Sequence, residues 1–216
     1  MAQAIVCYNH EGLVLATDSL VVQELDEGQV ERSTARRLFA LGTQAAMVAA
    51  GAPLGLELAT ELARWLQARH LVDLDDVLAV SREFLAEGYA RPLRAHQALG
   101  EERPAAFRHL YFIVGGYAGS ARAPYQAILL CSEAGELPFQ EVHLGRVFTL
   151  PRRLGLEVRV TRRIAEGAGL NELATTCRAA LKLAAERNPE LVGGPIDVAT
   201  VSAGGVAFLD ETGEEA

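Results

Sequence analysis

The sequence predicts an α+β fold in which blocks of strands are separated by groups of helices. Its 216 residues are 50% hydrophobic and 22% charged, which suffices for one compact domain spanning residues 1–216. Short apolar runs bounded by Gly, Asn and Asp predict strands, and three stretches with apolar residues at three- and four-residue spacing predict helices. Because the helices are grouped, the order favours a layered α+β fold over alternating βαβ units. A four-layer αββα sandwich satisfies this order, as do other α+β folds.

The first block of predicted strands begins with a hairpin. Two apolar runs, 4–8 and 12–19, flank a turn at Asn9–Gly12, and Asp18 lies near the end of the second run. Three further strands are predicted at 21–25, 37–41 and 45–50. The small residues of the last of these strands indicate a crowded sheet centre.

Two helices follow this block. Pro53 is expected at the first helical position, ahead of a leucine-rich apolar stripe. Asp73 is expected to cap a second helix, which should end before Pro92 because proline disfavours helical backbone in the preceding residue. Residues 92–106 are polar and are predicted to form a surface segment.

The second half of the chain predicts further strands and one clear helix. Pro151 and Gly155 interrupt residues 146–170, so no element is predicted there, and Asn171 is expected to cap the helix that follows. The predicted strands are 109–114, 126–131, 141–144, 196–201 and 205–209. The acidic residues 210–216 are expected to fray.

Charge and composition exclude several classes of protein. A formal net charge of −8 without a basic run argues against nucleic-acid binding. No apolar run approaches the roughly 20 residues that span a bilayer, and no secretory signal is recognisable, so we expect a cytoplasmic protein. Cys7, Cys131 and Cys177 lack metal-ligand spacing and are expected as buried reduced thiols. No metal or cofactor is predicted.

Five segments together resemble one known family. The segments are Gly12–Ser19, Thr34–Leu41, Ala45–Gly51, Leu110–Tyr117 and Val192–Asp197. In order and spacing they are similar to the proteasome β-subunit type of N-terminal-nucleophile threonine peptidases, and the last is similar to the glycine-proline-aspartate loop of bacterial Anbu-like members. The resemblance implies an αββα sandwich in a bacterial protein that assembles into homo-oligomeric rings and takes peptides or unfolded proteins as ligands.

The family's chemistry requires specific groups, and the resemblance assigns each to a position here. A threonine hydroxyl is activated by the chain's own α-amine beside a lysine and an aspartate, and a glycine amide stabilises the oxyanion. These positions fall on Ala2, Arg37, Asp18 and Gly51, in that order. Ala2 has no hydroxyl, and a guanidinium does not deprotonate usefully in proteins. The family's auxiliary serine positions, near 144–146 and 192, also lack a hydroxyl here.

The sequence therefore predicts a catalytically inactive proteasome-like subunit that acts as a ring scaffold or peptide-binding chamber. The alternative is an active threonine endopeptidase whose N-terminal threonine has been replaced by Ala2. Arg37 argues against that alternative, because a single trapping substitution would leave the lysine in place. A third hypothesis is an amine- or ligand-binding pocket at the vacant site.

Individual residues also have a structural interpretation. Asp18 is expected to pair with Arg37 as a buried ion pair, since buried carboxylates need partners. Gly51 is explained equally by a tight turn before Pro53. Cys7 is a weak candidate for a replacement nucleophile, because it lies within an apolar strand with no adjacent basic residue.

Overall fold

The computed structural model describes residues 3–24, 29–69, 71–98, 109–119, 123–133, 137 and 139–210. These residues form a mixed α/β fold with four helices and three antiparallel sheets. In chain order the elements are β1 (Ala4–Tyr8), β2 (Leu13–Asp18), β3 (Leu20–Glu24), β4 (Val30–Thr34), β5 (Leu38–Ala40), β6 (Ala45–Gly51), α1 (Pro53–Gln67), α2 (Leu74–Ala98), β7 (Leu110–Tyr117), β8 (Tyr125–Ser132), β9 (Gln140–His143), β10 (Val147–Leu150), α3 (Leu154–Ala165), α4 (Leu170–Arg187), β11 (Ile196–Ser202) and β12 (Gly205–Leu209). The predicted grouping of helices between blocks of strands is confirmed.

The strands are arranged in two large sheets and a separate hairpin. The first sheet has the order β10-β1-β2-β11-β12, and the second has the order β5-β6-β7-β8-β9. Strands β3 and β4 form the hairpin. The opening hairpin pairs Ala4 with Thr17 and Tyr8 with Leu13, so β1 and β2 lie side by side inside the first sheet.

Successive side chains along the central strands pack into different hydrophobic cores. On β1 and β2, Val6 and Leu15 belong to a core shared by the two sheets, whereas Ile5 and Val14 pack with α3 and α4. On β6, Val48 joins the core between the sheets, and its neighbours Met47 and Ala49 pack against α1 and α2. This follows from the period of two in a strand, which points successive side chains to opposite faces. Each large sheet is therefore buried on both faces.

Helix α1 begins and packs as its sequence predicts. Pro53 occupies the first turn, and the buried face of α1 carries Leu58, Leu62 and Leu66 at four-residue spacing. Asp73 accepts a hydrogen bond from the Asp75 amide at 2.8 Å, which confirms its predicted capping role. None of the helices in the described part of the chain is long and apolar enough to cross a membrane.

The predicted end of α2 is wrong. The helix continues past Pro92 to Ala98, so the segment predicted as a surface loop at 92–106 is helical up to residue 98, and its remainder lies outside the described residues. Proline removes one helical hydrogen bond, but Tyr89 and Leu93 flank it at four-residue spacing and are both buried in the core beneath α2. Tertiary packing overrides the local signal here.

Two further predictions in the second half are corrected. Helix α4 begins at Leu170, so Asn171 is not its cap; instead, a carboxylate oxygen of Glu11 accepts the Leu170 amide at 2.7 Å from the β1–β2 turn. Residues 146–170, left without an element by the sequence, contain β10 and α3. Pro151 lies between these two elements, where it interrupts neither.

Candidate functional site

Asp18 lies at the end of β2 with its side chain fully buried. One carboxylate oxygen, Oδ1, accepts the amide of Gln3 at 2.9 Å. The other, Oδ2, accepts the amide of Gly193 at 3.0 Å. The carboxylate therefore links the residue before β1, the end of β2 and the loop before β11.

Two opposing effects act on the acidity of Asp18. Burial raises the pKa of its carboxyl, because desolvation penalises the charged form. The hydrogen bonds from the Gly193 and Gln3 amides, and the charge on Arg37, oppose this rise. Burial is the larger effect, so the pKa of Asp18 stays above the ordinary aspartate value.

Arg37 lies in the link between β4 and β5, directly before β5, and is also buried, with only 3% of its surface exposed. Its Nη2 donates a hydrogen bond to the carbonyl of Leu20 at 2.8 Å. Its Nε and Nη1 are buried without a hydrogen-bond partner among the described residues. Burial lowers the pKa of Arg37, and the negative charge of Asp18 opposes that shift.

The structure brings Asp18 and Arg37 together, but not as the predicted contact pair. The two charges influence each other, yet among the described residues no ion pair within 4.0 Å joins them. The predicted direct ion pair is therefore wrong. The physical reason lies with the carboxylate, because a backbone amide already binds each of its oxygens, while the guanidinium donates through Nη2 to the Leu20 carbonyl.

Gly51 ends β6, next to the segment that carries Arg37. Its φ is +98°, and a Cβ at this position would lie 1.5 Å from the carbonyl oxygen of His109. The Ala49 amide, two residues earlier, donates to the Arg37 carbonyl at 2.9 Å, so β6 adjoins the Asp18 region. Backbone conformation and packing alone thus require glycine at position 51.

The remaining predicted position, Ala2, lies outside the described residues. Its neighbour Gln3 is described and is bonded to Asp18 through its amide. Of the positions predicted from the family resemblance, Asp18 and Arg37 therefore lie in one region, and Gly51 lies on the adjoining strand. Val192, one of the auxiliary positions, is buried directly before Gly193.

Sequence reasoning missed several members of this region. The Gly193 amide and the Leu20 carbonyl are backbone groups, which leave no side-chain signal in a sequence. Ser19 Oγ and Gln3 Oε1 are buried polar atoms without a partner among the described residues. We call Gln3, Asp18, Ser19, Arg37 and Gly193 the Asp18 cluster.

A neighbouring pocket of about 400 Å³ opens beside this cluster. It is lined by Ser19, Thr34, Ala35, Arg36, Pro195, Asp197 and Phe208. The guanidinium of Arg36 lies 4.9 Å from the centre of the Phe208 ring, a cation–π arrangement. Burial raises the pKa of Asp197, and the charge of Arg36 opposes the shift.

The cysteines do not form an alternative nucleophilic site. All three are buried free thiols, as predicted. The Sγ atoms of Cys7 and Cys177 are 3.7 Å apart, and this contact together with burial raises the pKa of Cys7. A raised pKa reduces the thiolate fraction needed for nucleophilic attack. Within the described ranges, no group of three His, Cys, Asp or Glu side chains is placed to hold a metal ion.

Comparison with known proteins supports the fold. No family model matches the sequence, and no curated protein matches it. Among solved structures, the chain is similar to an Anbu (Gly-1) mutant from Hyphomicrobium sp. strain MC1, with a TM-score of 0.63 and 15% sequence identity. The match covers 97% of this chain and 85% of that chain. The resemblance to Anbu-like proteins is thus confirmed at the level of the fold.

Proposed function

We propose that this chain is a catalytically inactive proteasome β-type-like subunit that acts as a ring scaffold or a peptide-binding chamber. The observation that carries the proposal is the presence and burial of arginine at position 37. At the position where the resembled family has its lysine, this chain has a buried guanidinium whose Nη2 is bound to the Leu20 carbonyl. A guanidinium remains protonated in proteins, so it offers no titratable amine to assist proton transfer.

The other positions support the same conclusion. Asp18 is engaged by two backbone amides and joins three segments of the fold, which is a structural role. Gly51 is explained by its positive φ and by the approach of His109. Ala2 carries no hydroxyl to attack a carbonyl. The scaffold of the family is retained, and the groups of its chemistry are replaced or serve the fold.

The proposal includes the architecture and assembly. We propose a four-layer αββα sandwich within one domain of residues 1–216, supported by the core between the sheets and the two cores beneath the helix pairs. We also propose homo-oligomeric rings, because the resembled family builds closed rings from heterologous interfaces. Three free, buried thiols support a reducing compartment such as the bacterial cytoplasm.

One alternative function is kept, because the fold alone permits it. In this alternative the chain is an active threonine endopeptidase in which alanine has replaced the nucleophile at position 2. Asp18 and Gly51, both present at the family positions, favour it. Arg37 opposes it, since a substitution confined to position 2 would have left a lysine at position 37.

A peptidase assay separates the two. The unmodified chain, Ala2→Thr, Arg37→Lys and the double variant are incubated with fluorogenic peptides of varied sequence. We expect cleavage by none of the first three, and activity only in the double variant. A matched control adds Asp18→Asn to the double variant, which should abolish any activity gained.

Two outcomes contradict the proposal. Cleavage by the unmodified chain that is blocked by an N-terminal covalent inhibitor would establish an active enzyme. Activity of Ala2→Thr with Arg37 intact would show that the guanidinium supports the chemistry, and would favour the alternative.

A further inference from the structure

The helices α3 and α4 carry a charge opposite to that of the whole chain. Between residues 151 and 187 the sequence has eight basic and four acidic side chains, whereas the chain has a formal net charge of −8. Such asymmetry indicates an electrostatic surface suited to a particular partner.

Several arginines of this region form ion pairs with carboxylates. Arg162 and Arg163 bind Glu166, and Arg152 binds Glu157. By contrast, three others have no carboxylate or hydrogen-bond partner for their guanidinium groups among the described residues: Arg153, Arg159 and Arg187. Arg159 and Arg187 are exposed, so their guanidinium groups are open to an anionic group from outside the described part of the chain.

The three unpaired arginines line one groove. It lies between α3 and α4 and has a volume of about 380 Å³. The rest of its lining is apolar: Gly155, Leu156, Ala180, Leu183 and Ala184. Beside it on α3, Leu154 and Val158 are each 68% exposed. The surface thus combines a cationic rim with apolar side chains.

We propose that this groove docks an acidic polypeptide segment of a partner protein, with leucine-sized apolar side chains between its carboxylates. Guanidinium groups bind carboxylates through two parallel hydrogen bonds, which suits arginine over lysine for this task. The apolar lining and the exposed Leu154 and Val158 suit a polypeptide, since an inorganic anion would leave them uncovered. The excess negative charge elsewhere on the chain disfavours a nucleic acid. The groove shares no residue with the Asp18 cluster, so the inference is independent of the proposed function.

Fluorescence anisotropy with a labelled peptide of repeated Glu-Glu-Leu tests the groove. The variant Arg159→Glu/Arg187→Glu should weaken binding about tenfold or more, since arginines are enriched among the residues that dominate binding and both charges are reversed. The matched control is Arg91→Glu/Arg94→Glu on α2, which makes the same charge change at exposed positions and should retain the affinity. Circular dichroism and melting temperature confirm that each variant is folded.

Several outcomes would overturn the proposal. Equal weakening by both double variants would show that the peptide responds to the overall charge of the protein and not to the groove. Equal affinity for a Glu-Glu-Ser peptide would show that the apolar lining plays no part and that the groove binds anions in general. Tighter binding by a chain lacking residues 211–216 would assign the groove to the chain's own acidic end. A smaller native mass of the Arg159→Glu/Arg187→Glu variant would assign it to a second copy.

Discussion

Two buried carboxylates in this protein, Glu157 and Asp18, have similar burial and different surroundings. Glu157 Oε1 accepts the Thr149 amide at 3.0 Å and the Thr149 hydroxyl at 2.8 Å, and Oε2 accepts Arg152 at 2.7 Å. The Thr149 hydroxyl in turn accepts the amide of Arg153 at 2.6 Å. We call these four residues the Glu157 cluster. Each polar group named in it has a partner.

In the Asp18 cluster, several buried polar groups around the carboxylate have no hydrogen-bond partner among the described residues. The carboxylate itself is bound by two amides, but Arg37 Nε and Nη1, Ser19 Oγ and Gln3 Oε1 have no partner among the described residues. Because buried polar groups are almost always hydrogen-bonded, a concentration of unpaired ones is informative. A polar cluster kept only for stability would resemble the Glu157 cluster. The two clusters therefore differ in how completely their buried polar groups are hydrogen-bonded within the described residues.

The largest expected effect is that of removing the Asp18 carboxylate. Asp18→Ala leaves the amides of Gln3 and Gly193 buried without acceptors and removes the negative charge that acts on Arg37. We expect a loss of about 3–5 kcal/mol in the free energy of unfolding, as for other broken buried charge networks. Urea denaturation followed by circular dichroism measures it. A loss below about 1 kcal/mol would show that the carboxylate is not what joins these segments.

The next effect concerns the Glu157 cluster. Glu157→Gln keeps the size of the side chain but replaces one accepting oxygen by a donor, which conflicts with Arg152 or with Thr149. We expect a loss of about 2 kcal/mol in the same measurement. The control Glu166→Gln changes an exposed carboxylate directly after α3 and should cost less than Glu157→Gln does. Equal losses in both variants would contradict a special role for the buried cluster.

A pair of hydroxyl deletions distinguishes the two clusters directly. Thr149→Val removes a hydroxyl that both donates and accepts, so it should cost about 1–2 kcal/mol. Ser19→Ala removes a buried hydroxyl that has no partner in the part of the chain that the structure describes, and its effect should be near zero or slightly stabilising. Thermal melts of both variants test this contrast. A cost at Ser19 as large as that at Thr149 would mean that Ser19 is hydrogen-bonded in solution, and the comparison would fail.

Much of the fold was predictable, because the pattern of apolar residues along the chain indicates which segments form strands and which form helices. Short, nearly continuous apolar runs at β1, β2 and β6 identified the strands, and the leucine stripe of α1 identified its helix. Predictions failed where tertiary contacts override local signals. Tyr89 and Leu93 hold α2 together across Pro92, and Glu11 caps α4 from a distant turn.

The candidate site was predictable only in part, for a related reason. The family resemblance pointed to Asp18 and Arg37, and the structure brings these two together. The sequence could not reveal that backbone groups of Gln3, Leu20 and Gly193 bind these two side chains, since nearly every residue has the same backbone donor and acceptor. The expected ion pair was wrong because two backbone amides, rather than the guanidinium, bind the oxygens of the Asp18 carboxylate.

The smallest expected effect is a pH dependence specific to the Asp18 cluster. Burial holds the pKa of Asp18 above its ordinary value, so the folded protein retains this proton to higher pH than the unfolded chain does. The corresponding stability is fully present below the ordinary aspartate pKa, roughly 4, and is lost as pH rises through the raised pKa. The difference in free energy of unfolding between the unmodified chain and Asp18→Asn should therefore decrease from acidic to neutral pH. Because burial also raises the pKa of Asp197, Asp197→Asn should remove a separate part of the same decline. Urea midpoints measured across this range decide the sign. A difference that grew with pH would mean that the amides and Arg37 outweigh burial, and the carboxylate would then be as well satisfied as that of Glu157.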